Sequence, residues 1–159
     1  MKVITLTLTL LMVAVHQVPS MTLADVQNLA PVFNFTENIE NAYQLAKSQS
    51  KPIVLVVHDT HCGACKSLRP SLIESHKLRQ MSKDVIMVQS LDGQDRVANE
   101  VNPHDNTYVP RIIFIGCDGK VFDSIYNVNQ PNFKNYYTTA EDVIAGMEKA
   151  IEANKRISC

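Results

Sequence analysis

The sequence is poor in glycine and proline, five and seven among 159 residues, so it carries no collagen-like repeat. It also lacks a charge excess. Fifteen Lys and Arg stand against 16 Asp and Glu, a formal net charge of -1, which gives no electrostatic case for the basic face that nucleic-acid phosphates require. With 45% apolar side chains and 19% charged, the chain is too hydrophobic to be wholly disordered. Four cysteines are too few for a fold built on disulfides, and Cys62 and Cys65 lie close together while Cys117 and Cys159 lie far downstream. What remains is one domain, able to hide roughly two-thirds of the surface its unfolded chain exposes.

Lys2, an apolar stretch from Val3 to Val15, and a boundary at Val18-Pro19-Ser20 predict a signal peptide over residues 1–20. Residues 21–159 are then a single domain with an N-terminal segment of undefined structure. The apolar stretch is short for a bilayer span, so no membrane segment is expected after cleavage. A native strand through Thr5, Thr7 and Thr9, or an uncleaved anchor, are the competing readings. Export would place the cysteines where disulfides persist. It would also expose the sequon Asn34-Phe35-Thr36 to glycosylation, against the simpler reading in which Thr36 caps the next helix.

Downstream, Ile39, Ala42, Tyr43 and Ala46 recur at helical spacing and predict a helix over 37–49. The apolar, β-branched run Ile53 to Val57 predicts a strand covered on both faces. One long helix is expected from Cys62 to Met81, kinked at Pro70. Val85 to Gln89 predicts a strand, and 90–107 a polar loop with a helical turn near Arg96 to Glu100. Arg111 to Ile115 and Val121 to Ile125, flanking Asp118-Gly119, predict a β-hairpin. Thr138 with Glu141 suggests a capping box, followed by a helix along Val143, Ile144, Met147 and Ile151. This order fits an α/β layer fold with a mixed sheet.

The sharpest chemical signal is His61-Cys62-Gly63-Ala64-Cys65. At a helix's first turn, unpaired amides and the positive dipole end favour a thiolate, which makes Cys62 the attacking sulfur. Cys65 lies one turn on, in reach to resolve a mixed disulfide. Zinc competes through His58 or His61, but the string lacks a second paired knuckle. A structural disulfide without turnover is the other alternative.

Cys62-Gly63-Ala64-Cys65-Lys66, Pro70, and Tyr108-Val109-Pro110-Arg111 before a strand resemble the thioredoxin fold. More narrowly, with the segment Phe133 to Tyr137, Thr138-Thr139-Ala140-Glu141 and Gly146-Met147, the chain resembles the small endoplasmic-reticulum thioredoxin-domain proteins related to anterior-gradient proteins. It matches their dithiol branch, over about residues 35–155. The resemblance implies a three-layer thioredoxin-like α/β fold with a mixed central sheet. It also implies thiol-disulfide oxidoreductase or isomerase-like activity on cysteine-containing client proteins. That chemistry requires no cofactor, metal or nucleic acid. It makes Pro110 a cis-proline beside the dithiol. Arg111 could favour a thiolate or a substrate carboxylate, or simply be solvated. His61 stands where this fold commonly has tryptophan, and its imidazole could support the Cys62 thiolate or be an inert exposed group. Val56 replaces the buried acid that many relatives use to move protons for the inner cysteine, leaving a water, His58 or a substrate group to do so.

In such a fold Cys117 and Cys159 share the pole opposite Cys62. An accessory disulfide, a free or intermolecular Cys159, and a buried free Cys117 all remain open. The protein is expected to be a monomer, with a disulfide-linked dimer as the alternative. The ending Lys155-Arg156-Ile157-Ser158-Cys159 has no K-D-E-L-type retrieval signal, so the endoplasmic-reticulum lumen and secretion compete. The functional rival is a secreted or lumenal protein-binding module, with Tyr136-Tyr137 and the polar loop as its surface.

Overall fold

Strand-forming segments in the middle of the chain are almost wholly apolar, and the sheet they build is covered on both sides. The computed structural model describes residues 29, 32–94, 96, 100–103 and 107–159. The expected signal peptide lies outside the described residues. In chain order the elements are β1 (Phe35–Thr36), α1 (Ile39–Gln49), β2 (Ile53–His58), α2 (Gly63–Glu74), α3 (His76–Met81), β3 (Ile86–Leu91), β4 (Arg111–Ile115) and α4 (Ala140–Asn154). The strands lie in the order β1-β3-β2-β4. β3 runs parallel to both β1 and β2, whereas β4 pairs antiparallel with β2, so the sheet is mixed.

Strand side chains alternate between faces, and the two halves of the core follow that alternation. Val54, Val56, Met87, Ile112 and Phe114 pack under α2, α3 and α4, through Leu68, Leu72, Leu78, Val143 and Met147. Ile53, Leu55, Val57, Val88, Ile113 and Ile115 meet Ile39, Ala42 and Ala46 of α1 on the other face. Helices on both faces of one sheet make three layers. Gly146 lets α4 approach β4 closely, because a Cβ there would overlap the Phe114 ring.

Four local expectations are corrected. The helix after Cys62 is interrupted at Ser75, which has extended backbone and caps α3 by accepting from the Leu78 amide at 3.2 Å. Pro70 stays inside α2. The expected hairpin makes its reversal, with Gly116 N–H donating to Lys120 O at 2.8 Å, but its second strand is reduced to the bridge between Ile115 and Val121. Ile125 N–H turns back to Phe122 O at 2.8 Å and its side chain enters the core, which draws the chain off the sheet edge. The cap of α4 is Thr139, one residue later than expected, accepting from the Asp142 amide at 3.2 Å. Finally, Thr36 lies in β1 and Asn38 caps α1, accepting from the Asn41 amide at 2.8 Å. The polar loop is described only in part, but Arg96 and Glu100 are helical and pair at 3.1 Å.

Candidate active site

The chain leaves β2 at His58 and must turn sharply to start α2. Asp59 holds that turn. Its Oδ1 accepts from the His61 amide at 2.6 Å and its carbonyl accepts from the Cys62 amide at 3.4 Å. Cys62 is therefore delivered to the N-cap of α2 in extended conformation, where its Sγ accepts from the Cys65 amide at 3.1 Å. A sulfur in a capping position takes one of the helix's unpaired donors, and negative charge there meets the positive end of the helix dipole. Cys62 is partly exposed, and a Cβ on Gly63 would meet nothing within 4 Å, so a large disulfide can approach.

Cys65 is buried and chemically opposite. Burial, with a hydrogen bond to Cys62 as the next cause, pushes its thiol up to about 12, so near neutral pH it keeps its proton. One sulfur is thus accessible and capped by an amide, the other protonated and withdrawn. Both are free thiols.

Across from Cys62 stands the loop before β4. The Val109-Pro110 peptide bond is cis, as the resemblance implied, and the Cys62 thiol donates to the Val109 carbonyl at 3.6 Å. Pro110 shares with Cys65 and His58 the lining of a small cavity between α2 and the sheet.

The remaining candidates fall elsewhere. The His61 side chain is 94% exposed, with its ring 3.1 Å from the Thr60 hydroxyl and 3.8 Å from Asp59 Oδ1. Arg111 is neither solvated nor turned to the dithiol. It is 2% exposed, donating to Asp92 Oδ1 at 2.7 Å and to the Tyr108 carbonyl at 2.8 Å. In register with Val57, it lies on the α1 face of the sheet, whereas Cys65 lines a cavity on the other. Its work is structural: it ties the loop bearing Val109 to the end of β3.

Sequence reasoning missed Asp92, and nothing in its local sequence distinguishes it from a loop acid. The same holds for Asp59, whose side chain and carbonyl fix the turn into α2. The Tyr136-Tyr137 pair is not a surface patch either. Tyr137 is buried against Phe114, while Tyr136 joins Tyr108 and the half-exposed Phe133 in edge-to-face contacts.

Cys117 and Cys159 form a disulfide with Cα atoms 5.4 Å apart, which resolves the open alternatives in favour of the accessory bond. Two of the four thiols are thereby committed and cannot complete a tetrathiolate zinc site with Cys62 and Cys65. Among the described residues no group of three His, Cys, Asp or Glu is gathered as metal ligands. Nor is any helix there long and apolar enough to cross a membrane. Asn34 is exposed.

A dithiol divided between a helix cap and the core behind it, within three α/β layers, defines a class of proteins with two cysteines at the entrance of the helix after the central strand. Residues 34–116 match the thioredoxin-like family, and the chain belongs to that family. A DsbH oxidoreductase is similar in structure, with a TM-score of 0.53 at 16% identity over 76% of this chain and 85% of that one. A disulphide isomerase from Xylella fastidiosa Temecula1 gives 0.45 at 20% identity over 80% of this chain and 98% of that one. The first likeness supports the thioredoxin-like fold.

Proposed function

We propose that the protein is a thiol-disulfide oxidoreductase acting on disulfides of cysteine-containing client proteins. The observation that carries this reading is the asymmetry of the dithiol: Cys62 sits partly exposed at the cap of α2, while Cys65 is buried and stays protonated one turn behind. Cys62 thiolate attacks a client disulfide, a Cys62-client bond forms, and one client sulfur leaves as thiolate. Cys65 then attacks Cys62 Sγ, forming the internal disulfide and releasing the second client thiolate. Run backwards, an oxidised pair donates its disulfide, and repeated cycles give isomerisation. The Val109 carbonyl lies 3.6 Å from the reacting sulfur, and with the cis Pro110 that follows it offers a client backbone a surface beside the dithiol.

The dithiol branch of the small endoplasmic-reticulum proteins related to anterior-gradient proteins is the reading within the family, on the motif residues Cys62 to Lys66, Pro70 and Pro110. A secretory-pathway setting, lumenal or secreted, is supported by the N-terminal signal pattern and by a Cys117-Cys159 disulfide of a kind that persists in oxidising compartments. There the exposed Asn34 would be open to glycosylation, and the chain would work as a monomer.

The test is exchange with a disulfide-bonded protein. Turnover should vanish in Cys62→Ser and stop at a trapped mixed disulfide in Cys65→Ser. Client binding unchanged by both substitutions, with no turnover in the wild type, would overturn the enzyme reading in favour of a binding module.

A further inference from the structure

Resolution by Cys65 needs a proton acceptor, because this thiol is held in its neutral form and Val56, on the strand beneath it, has none to offer. We propose that His58 Nδ1 takes the Cys65 proton through one water held between them as Cys65 attacks the Cys62-client disulfide. The proposal rests on the oxidoreductase reading above.

Three observations converge on His58. It lines, with Cys65, Arg69, Gln89 and Pro110, a cavity of about 20 Å³, and about 10–15 Å³ is enough for one water. That water would have polar neighbours on α2, β2 and β3. His58 Nδ1 is buried and, among the described residues, has no hydrogen-bond partner, which is rare for a ring nitrogen unless it serves a ligand, a water or a reaction. Lastly, burial and then the Arg69 charge hold His58 below the ordinary histidine value, with Asp59 opposing weakly, so the ring is neutral near pH 7. In the tautomer protonated at Nε2, Nδ1 is an acceptor.

The step balances without a further reactant. The Cys65 S–H bond breaks, its proton passes through the water to Nδ1, and the electron pair stays on sulfur. That pair forms the Cys65-Cys62 bond as the Cys62-client bond breaks, and the client sulfur leaves with its own pair. Arg69 disfavours a lasting imidazolium, so the proton moves on to the departing thiolate or to solvent. The charged or titratable groups facing His58 are Arg69 and Cys65 from α2 and Asp59 from the turn.

The experiment is rapid mixing of the reduced protein with 5,5′-dithiobis(2-nitrobenzoate), in which the first aryl thiolate reports attack by Cys62 and the second reports resolution by Cys65. In the wild type the second rate should be level above pH 7 and fall tenfold per pH unit below the His58 value. In His58→Gln it should drop by about 100-fold at pH 7 and rise tenfold per unit toward high pH. An unchanged profile in His58→Gln overturns the proposal. So does a wild-type second rate that climbs tenfold per unit from pH 6 to 9, a result that needs no variant to fold. Absence of the first release would instead defeat the oxidoreductase reading, and this proposal with it.

Discussion

Asp92→Ala should destabilise the protein more than any ordinary loop substitution. Asp92 closes three elements at once: its amide donates to the His58 carbonyl at 2.9 Å, and its carboxylate takes the Arg111 guanidinium at 2.7 Å. Arg111 in turn holds the Tyr108 carbonyl, next to the Val109 that faces Cys62. Removing the carboxylate leaves a guanidinium, 2% exposed, with its Nε already lacking a partner among the described residues. Breaking a fully buried pair costs about 3–5 kcal/mol; Asp92 is itself 33% exposed, so water offsets part of that and about 2–3 kcal/mol is expected. Asp92→Asn keeps one acceptor oxygen and should lose about half as much. Adding Arg111→Met to Asp92→Ala should recover most of the loss, because the uncompensated buried charge is gone. Urea denaturation at constant m-value measures all three. A loss under about 0.5 kcal/mol in Asp92→Ala, or no recovery in the double variant, would refute the reasoning.

Removing the accessory disulfide as Cys117→Ser with Cys159→Ser opens a loop of sequence separation 42, for which chain entropy gives about 4 kcal/mol; a loss of about 2–4 kcal/mol is expected by urea denaturation. Stability should also fall on acidification below about pH 6.5, where an unfolded histidine binds a proton that folded His58 still resists. Above that pH both states are neutral and the effect is absent. Thermal melts from pH 7 to 5 should show a smaller decline in His58→Gln than in the wild type, and equal declines would contradict the burial argument.

How much of this was legible depended on whether a residue's role is local. Ile53 to Val57, apolar at every position, could only be a strand covered on two faces, and Cys62 and Cys65 announced a helix entrance because capping and i,i+3 geometry depend on neighbours in sequence. Helix breaks were less legible. Ser75 interrupts where Pro70 does not, since a proline leaves one amide unmade but a serine that caps the next helix rebuilds a terminus. Val121 to Ile125 has strand composition, yet packing of Ile125 into the core outweighs further pairing at the sheet edge.

Asn154 shows the limit most plainly. It ends α4 as an unremarkable polar residue, yet it is buried, accepting from the Cys117 amide at 2.9 Å and donating to the Ser50 carbonyl at 2.9 Å. Those partners are far away in the chain, and no periodicity or motif encodes them. The sequence by itself determined the layered α/β class, the position of the dithiol and which sulfur would attack, all properties of short-range pattern. Only the tertiary structure decided that Arg111 is an internal tie to Asp92, that Cys117 meets Cys159, and that His58 shares a cavity with Cys65. Each is a contact between segments brought together by burial, where desolvation sets whether a charged or titratable side chain is solvated, paired or held neutral.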